Sequence, residues 1–455
     1  MMTFEDFTKE LFRQANEKGF NDYEVYYVTG HGFSVRVFKG EIAEYKNATT
    51  AGVGFRGTYN GKIGHAHTET LDLEIITLLL DNAIANSEII EDEDVEKLYQ
   101  SNESDEYQTV ISYNPALNDI ETSQKIQWAF DMEKYALSLD SRVKMADYCI
   151  IATTEGLISI VNSYGLNLSH QFNMATVNIV ARVEENGCTK SVSEYWNGRD
   201  FADFDYKALA KKAVDTAISY LGAESIATGD YPVVLDRNIA KSIFGAFMEI
   251  FIGENAQKGF SLLNKDKIGT TIAAPHITLR DDGITDLSLG SMAFDAEGVA
   301  TQKKAIIENG VLKTLLYNTK TAKKDGVKST GNATKSGIGG AISTSHTNFY
   351  LVPSNTSFDE LLAQVSETGV LITEVSGLHS GTNAVSGDFS VSAEGYLIEG
   401  GKIGRPIEQI TIAGNFYEML NNIVTVGSDL RFHSSGLGGI GMPSLLVNGL
   451  RVSGL

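Results

Sequence analysis

The chain has 455 residues, which exceeds the size at which one hydrophobic core usually stops growing, so we expect two domains. Hydrophobic residues make up 42% and charged residues 21% of the chain, and this ordinary globular balance excludes a protein that is disordered along its length. The formal net charge is −21 and no run of Lys or Arg interrupts it, which argues against nucleic acid as a direct partner.

The N-terminal residues form neither a basic segment nor the apolar segment of a signal peptide, and no later stretch reaches about eighteen consecutive apolar residues. We therefore expect a cytoplasmic protein with no membrane partner. Cys149 and Cys188 are the two cysteines, too few for a disulfide framework and not spaced as a CxxC redox or zinc pair. A reducing compartment fits this cysteine usage.

In the first half, helices are combined with an antiparallel sheet. Thr3 begins an amphipathic helix that Gly19 ends. Short alternating segments over residues 22–67, with an Asn60-Gly61 hairpin turn, predict a meander of antiparallel strands after it. Apolar periodicity predicts further helices at residues 71–87, 122–139 and 205–221.

In the second half, strands and glycine turns dominate. A small-residue connection at residues 222–229 places the boundary near residue 225, which gives domains 1–225 and 226–455. One helix is predicted over residues 238–252, and glycine recurs after it. The predicted fold class is α+β: an N-terminal helix-plus-antiparallel-sheet domain followed by a large β-rich C-terminal domain.

The usual zinc-peptidase device is a helix that carries two histidines one turn apart and a glutamate. None of the eight histidines forms such a pair, and the only close pair, His65 and His67, has a spacing that puts both rings on one face of a strand. That pair could hold a metal, but we favour a structural or solvent-facing role. The glycine-rich run 436–441 ends in Met442-Pro443 and is predicted to be a flexible loop.

Two glycine-rich polar segments remain, at residues 330–332 and 377–390. Glycines at this density allow close backbone approach, either in turns of an antiparallel domain or where an extended peptide or a second subunit packs. The residues alone leave both interpretations open.

Several short segments occur in an order and spacing that span nearly the whole chain: residues 52–56, 61–66, 281–283, 294–298, 307–310, 330–332, 383–390, 393–401 and 410–415. Together they resemble the TldD/PmbA family.

The resemblance also locates a metal motif. The catalytic TldD branch carries His-Glu-x-x-x-His on the helix that opens its C-terminal domain, and a cysteine ligand near its C-terminus. In this sequence the first His corresponds to Phe244, the Glu to Gly245 and the second His to Glu249, while residues 429–444 contain no cysteine. Phe and Gly cannot donate to zinc. The chain therefore resembles the TldE (PmbA) branch, which lacks the metal ligands.

This resemblance implies no catalytic residue, metal ligand or cofactor in this chain. It implies zinc in a TldD-like partner subunit, which forms a heterodimer around a proteolytic chamber, and unfolded polypeptides or small modified peptides as substrates. The candidate peptide-binding or interface residues are Asn332, Asn383, Gly387 and Asp388.

Two other functions stay open. The first is a stand-alone homodimer that binds peptides or regulates without cutting them. The second is an independent hydrolase that uses His379, Asp388 and Ser390.

Overall fold

Helices and long antiparallel strands make up the computed structural model, which describes residues 2–89, 97–101, 105–285, 290–435 and 438–455. The helices are α1 (Phe4–Lys18), α2 (Leu73–Ile89), α3 (Thr122–Leu139), α4 (Tyr206–Ser219), α5 (Arg237–Phe247), α6 (Gly253–Gln257), α7 (Thr319–Asp325), α8 (Phe358–Ala363), α9 (Leu378–Gly381) and α10 (Phe416–Asn422).

The strands of the first half are β1 (Asp22–Phe38), β2 (Glu41–Tyr59), β3 (Lys62–Thr68), β4 (Val143–Asn162), β5 (Asn167–Glu185) and β6 (Cys188–Gly198). Those of the second half are β7 (Gly229–Asp230), β8 (Val233–Leu235), β9 (Leu279–Asp282), β10 (Lys303–Glu308), β11 (Val311–Leu312), β12 (Ala333–Lys335), β13 (Ile342–Thr344), β14 (Asn348–Leu351), β15 (Thr368–Ser376), β16 (Asp388–Glu399), β17 (Lys402–Asn415), β18 (Ile423–Val426), β19 (Arg431–Ser435), β20 (Gly438–Met442), β21 (Leu445–Val447) and β22 (Arg451–Ser453). The predicted α+β class is confirmed.

One antiparallel sheet contains all six strands of the first half, in the order β3-β2-β1-β4-β5-β6. The predicted hairpin turn joins β2 to β3, with Asn60 at φ 50° and Gly61 at φ 80°. The predicted meander of antiparallel strands is confirmed, but its strands are longer than the short predicted segments, because β1 continues through Gly30 and Gly32 and pairs with β2 along all 17 of its residues. Glycine weakens a strand but does not end it when both neighbouring strands continue.

Four helices cover this sheet. The Thr3 hydroxyl oxygen accepts a hydrogen bond from the Asp6 amide at 3.1 Å and caps α1, and Gly19 ends the helix at φ 92°. One apolar cluster joins α1 and α2 to the sheet, and a second joins α3 and α4 to it. The predicted range of α3 is confirmed at both ends.

The second half contains an eight-stranded sheet, β18-β21-β8-β15-β16-β17-β22-β7, and a six-stranded sheet, β11-β10-β9-β14-β20-β19. The largest apolar cluster lies between them around α5. The run 436–441 was predicted to be a flexible loop, but its residues 438–441 lie in the buried strand β20; residues 436–437 lie outside the described part of the chain. Glycines fit there because a Cβ at Gly438 would lie 2.5 Å from the Thr347 carbonyl oxygen.

The two halves meet at a seam. Tyr26 and Ile158 of the first sheet pack with Phe294 and Ala333 of the second half. A Cβ at Gly54 in β2 would lie 2.2 Å from the carbonyl oxygen of Ile338, so the segment that joins β12 to β13 lies directly on the first sheet. The domain boundary near residue 225 stays a prediction.

Within the described ranges, none of the helices is both long and apolar enough to cross a lipid bilayer.

Candidate functional site

Helix α5 carries the first two positions at which the resemblance places the zinc motif. The Asp236 carboxylate caps it by accepting from the Asn238 amide at 2.8 Å, and apolar residues recur at helical spacing along one face. Phe244 lies on that face with 0% exposure, edge-on to Phe416 at 5.1 Å between ring centroids. The position of the first histidine therefore belongs to the core.

The other two positions point elsewhere. Gly245 lines a cleft of about 500 Å³ beside α5, which we call the α5 cleft. Glu249 is exposed, because α5 ends at Phe247 and a 3₁₀ turn, Met248–Phe251, follows it. The prediction of one helix over residues 238–252 was therefore too long. The three motif positions therefore lie in three different environments: Phe244 in the core, Gly245 in the α5 cleft and Glu249 in solvent.

His433 is the most buried titratable group of the α5 cleft. It lies on β19 with 7% exposure, and both of its ring nitrogens, Nδ1 and Nε2, lie within hydrogen-bond distance of the Tyr195 hydroxyl. Burial lowers the pKa of His433 to about 4, so the ring is neutral near pH 7. Burial also lowers the pKa of Lys241 in the same cleft. Sequence reasoning missed His433 and Tyr195, because two single residues 238 positions apart give no motif.

Asn383, Gly387 and Asp388 lie together in one turn before β16. The Asn383 side-chain oxygen accepts from the amides of Val385 and Ser386 at 3.0 and 3.1 Å. The Asp388 carboxylate accepts from the Ser386 hydroxyl at 2.8 Å and from the side-chain amide of Asn415 at 2.9 Å, and these hydrogen bonds lower its pKa. Gly387 has φ +85°, and a Cβ there would lie 2.5 Å from the Tyr417 ring. Hydrogen bonds from side chains of the turn and from Asn415 therefore fix its conformation.

Asn332, the fourth candidate, lies in a different place. It is 1% exposed and lines a cavity of about 460 Å³ at the seam between the halves, which we call the seam cavity. Its side-chain amide donates to the Asp281 carboxylate at 2.8 Å and to the Ser345 carbonyl at 2.9 Å. The structure thus brings three candidates together and separates the fourth from them.

Two buried titratable groups also line the seam cavity. Burial and the neighbouring Glu297 carboxyl raise the pKa of Asp295 above its ordinary value. Burial lowers the pKa of His346, whose Nε2 atom has no hydrogen-bond partner among the described groups. Sequence analysis assigned neither residue a role, because neither belongs to a recognisable chemical motif.

Models of three domains match in chain order: PmbA/TldA metallopeptidase domain 1 at residues 23–87, the central domain at 115–221 and the C-terminal domain at 228–454. The chain belongs to the TldD/PmbA family. The predicted resemblance is confirmed.

Among TldD/PmbA relatives, the metalloprotease PmbA of Escherichia coli O157:H7 is 28% identical over 75% of this chain and 72% of its own length. The Haemophilus influenzae homologue of PmbA is 27% identical over 94% and 90%. A Thermotoga maritima structure named as a candidate modulator of a DNA gyrase is 32% identical, with a TM-score of 0.88 over 99% of this chain and all of its own. TldE from Thermococcus kodakarensis, at 21% identity and a TM-score of 0.89 over 98% of this chain and all of its own, shows the shared fold.

The residues do not fit the metal ion that the word metalloprotease in the names of these relatives implies. In the described part of the chain, no three His, Cys, Asp or Glu side chains converge so that they could hold a metal. His65 and His67 are both exposed on one face of β3, as their spacing predicts, and no third metal donor lies beside them among the residues that the structure describes. No mechanistic step through zinc is therefore assigned to this TldD/PmbA chain.

The alternative hydrolase constellation of His379, Asp388 and Ser390 does not form either. His379 lies exposed on α9, and Ser390 is exposed on β16. Both carboxylate oxygens of Asp388 accept hydrogen bonds from Ser386 and Asn415, and no hydrogen bond joins any two of the three side chains in the described structure.

Proposed function

We propose that this chain is a TldE/PmbA-like, metal-free subunit that works with a zinc-bearing, TldD-like subunit in a two-chain peptidase. The observation that carries the proposal is the placement of the three motif positions: Phe244 in the core, Gly245 without a donor, and Glu249 in solvent. A zinc peptidase needs three protein ligands and a base close to one open coordination position.

The fold supports a scaffolding role for such a subunit. Three domain matches cover most of the chain, so the architecture of the family is kept, as a subunit that contributes structure to a peptidase would require. PmbA-named and TldD-named relatives both align, the latter including a Buchnera aphidicola TldD homologue that is 25% identical over 95% of this chain and 93% of its own length. Because relatives of both names align, the assignment to the TldE/PmbA branch depends on residues 244, 245 and 249.

A substrate follows from the same proposal. A chamber enclosed by two chains admits extended or small peptides and excludes folded proteins, so unfolded polypeptides and small modified peptides are the proposed substrates. The α5 cleft and the turn of Asn383 and Asp388 are the surfaces of this chain that we assign to the chamber or to the contact with the partner.

Reconstitution tests this function. The purified chain is assayed alone, with a TldD-like subunit from the same genome, and with that subunit after its motif glutamate is changed to glutamine; fluorogenic unfolded peptides report cleavage. We expect cleavage only in the mixture with the intact partner, and co-elution of the two chains on size exclusion.

Chelator-sensitive cleavage by the isolated chain would contradict the proposal. A stable homodimer that binds peptides but neither joins nor activates the partner would replace it with the stand-alone binding function.

A further inference from the structure

A second cleft, of about 660 Å³, lies between the two halves and is unusually basic for so acidic a chain. Lys97 reaches it from the first half, and Lys323 and Lys324 reach it from α7 in the second. Lys320 also lines it and is already in contact with another group. We call it the lysine cleft; its lining residues are Asp22, Thr58, Gly61, Lys97, Leu98, Tyr99, Gln100, Tyr164, Thr319, Lys320, Lys323 and Lys324.

Among the described residues, little negative charge neutralises the lysines of this cleft. Lys97, Lys323 and Lys324 form no ion pair or side-chain hydrogen bond in the described part of the chain. Asp22 is the only described acidic residue in the lining, and both of its oxygens are used: one accepts from the Thr58 amide at 3.2 Å, the other from the Tyr164 hydroxyl at 2.9 Å.

Like charges that converge on one concave surface repel each other, and a cleft with protein walls concentrates their field. A bound anion removes that repulsion and gains charge-assisted hydrogen bonds from the ammonium groups. The chain as a whole carries a net charge of −21 and therefore repels anions. Binding of an anion in this cleft would depend on the lysines that line it.

We propose that the lysine cleft binds a ligand that carries at least two neighbouring oxyanions, from phosphate or carboxylate groups. The cleft volume lies within the range of small-molecule sites, roughly 300–1,000 Å³. Because the lysines come from both halves, such a ligand bridges them. The exposed ring of Tyr164 and the partly exposed Tyr99 add flat surfaces on which an attached planar or apolar group rests.

This site is separate from the one assigned to the peptidase pair. The lining residues of the lysine cleft are not shared with the α5 cleft or with the seam cavity. The proposal therefore stands whether or not a zinc-bearing partner exists.

Isothermal titration of the full chain tests the proposal with two probes, inorganic tripolyphosphate and a peptide of six glutamates. The site variant is K97Q/K323Q/K324Q. The matched control is K265Q/K267Q/K402Q, which removes the same charge from three exposed lysines that do not line the cleft. Thermal unfolding checks that both variants fold like the parent.

We expect the parent to bind one equivalent of at least one probe at about 50 mM NaCl, with weaker binding at about 300 mM. The site variant should raise Kd about tenfold or more, while the control changes it less than about twofold. Selective binding of tripolyphosphate identifies a phosphate ligand, and selective binding of the peptide identifies an acidic polypeptide. Absence of binding to both probes, or equal losses in the two variants, overturns the proposal.

Discussion

Phe244 shows why a single residue can decide the chemistry of this helix. The resemblance places the first zinc-binding histidine of the TldD motif at this position, and here the Phe244 ring is fully buried against Phe416. Phe247 stacks on the same ring at 4.6 Å between centroids, so three aromatic rings pack as one unit. In this chain the side chain at position 244 packs in the core.

The first prediction compares Phe244 with Glu249. Phe244→Ala should lower the free energy of unfolding by about 3–5 kcal/mol, because it removes a fully buried ring and leaves a cavity in the core. Glu249→Ala should change it by less than about 0.5 kcal/mol, because the side chain is exposed. Urea unfolding followed by tryptophan fluorescence measures both, and equal effects would show that the two motif positions are not divided between core and solvent.

His433 gives a prediction about acid stability. In the folded chain its pKa is about 4, against an ordinary value of 6.5 when unfolded. The unfolded state therefore binds more protons between these values, so the stability that comes from the neutral ring is present above pH 6.5 and is lost as the pH falls towards 4. The full loss amounts to about 3 kcal/mol.

His433→Phe should consequently flatten the dependence of unfolding free energy on pH between 6.5 and 4, whatever it does to stability at pH 7. His379→Phe, at an exposed position, should leave the slope as in the parent. Urea midpoints measured across this range test the prediction; parallel curves for the parent and His433→Phe would rule it out.

At the scale of elements, the segment 383–388 had two interpretations from sequence: a structural turn, or a surface that contacts a peptide or a second subunit. Its glycine and Asx chemistry predicts a tight turn, and the structure contains one, with Gly387 at positive φ. Its exposed outer surface is what a partner or peptide would meet, since Asp388 is exposed. Whether that surface is used depends on a second molecule, which a single sequence does not describe.

The double variant Asn383→Ala/Asp388→Ala should impair either assembly with the TldD-like subunit or peptide cleavage by the pair. The variant loses the hydrogen bonds that hold the turn, so its loss of stability is measured separately by thermal unfolding. Ser380→Ala, an exposed change on neighbouring α9, serves as the control. Full assembly and full activity of the double variant would remove both residues from the interface.

Elements with strong local signals were predictable. The range of α3 follows from its apolar periodicity, and Thr3 and Gly19 mark the ends of α1. The prediction for residues 438–441 was wrong for a physical reason. Their glycines are typical of a loop, but β14 and β19 pair with these residues on both sides. Tertiary pairing overrode local propensity there.

At the scale of the whole molecule, family and fold class were predictable because nine short segments keep their order along the chain. The clefts were not predictable. The seam cavity and the lysine cleft are each built from side chains of both halves, which periodicity and spacing do not bring together. The same holds for the contact between His433, which lines the α5 cleft, and Tyr195.

The central claim is that this chain holds no zinc of its own. Elemental mass spectrometry of the purified chain, after dialysis against zinc and then against zinc-free buffer, tests it directly. The account predicts less than about a tenth of an equivalent of zinc, because a tight site needs three or four converging N, S or O donors. Close to one tightly held equivalent would contradict it and identify this chain as a metal-binding subunit in its own right.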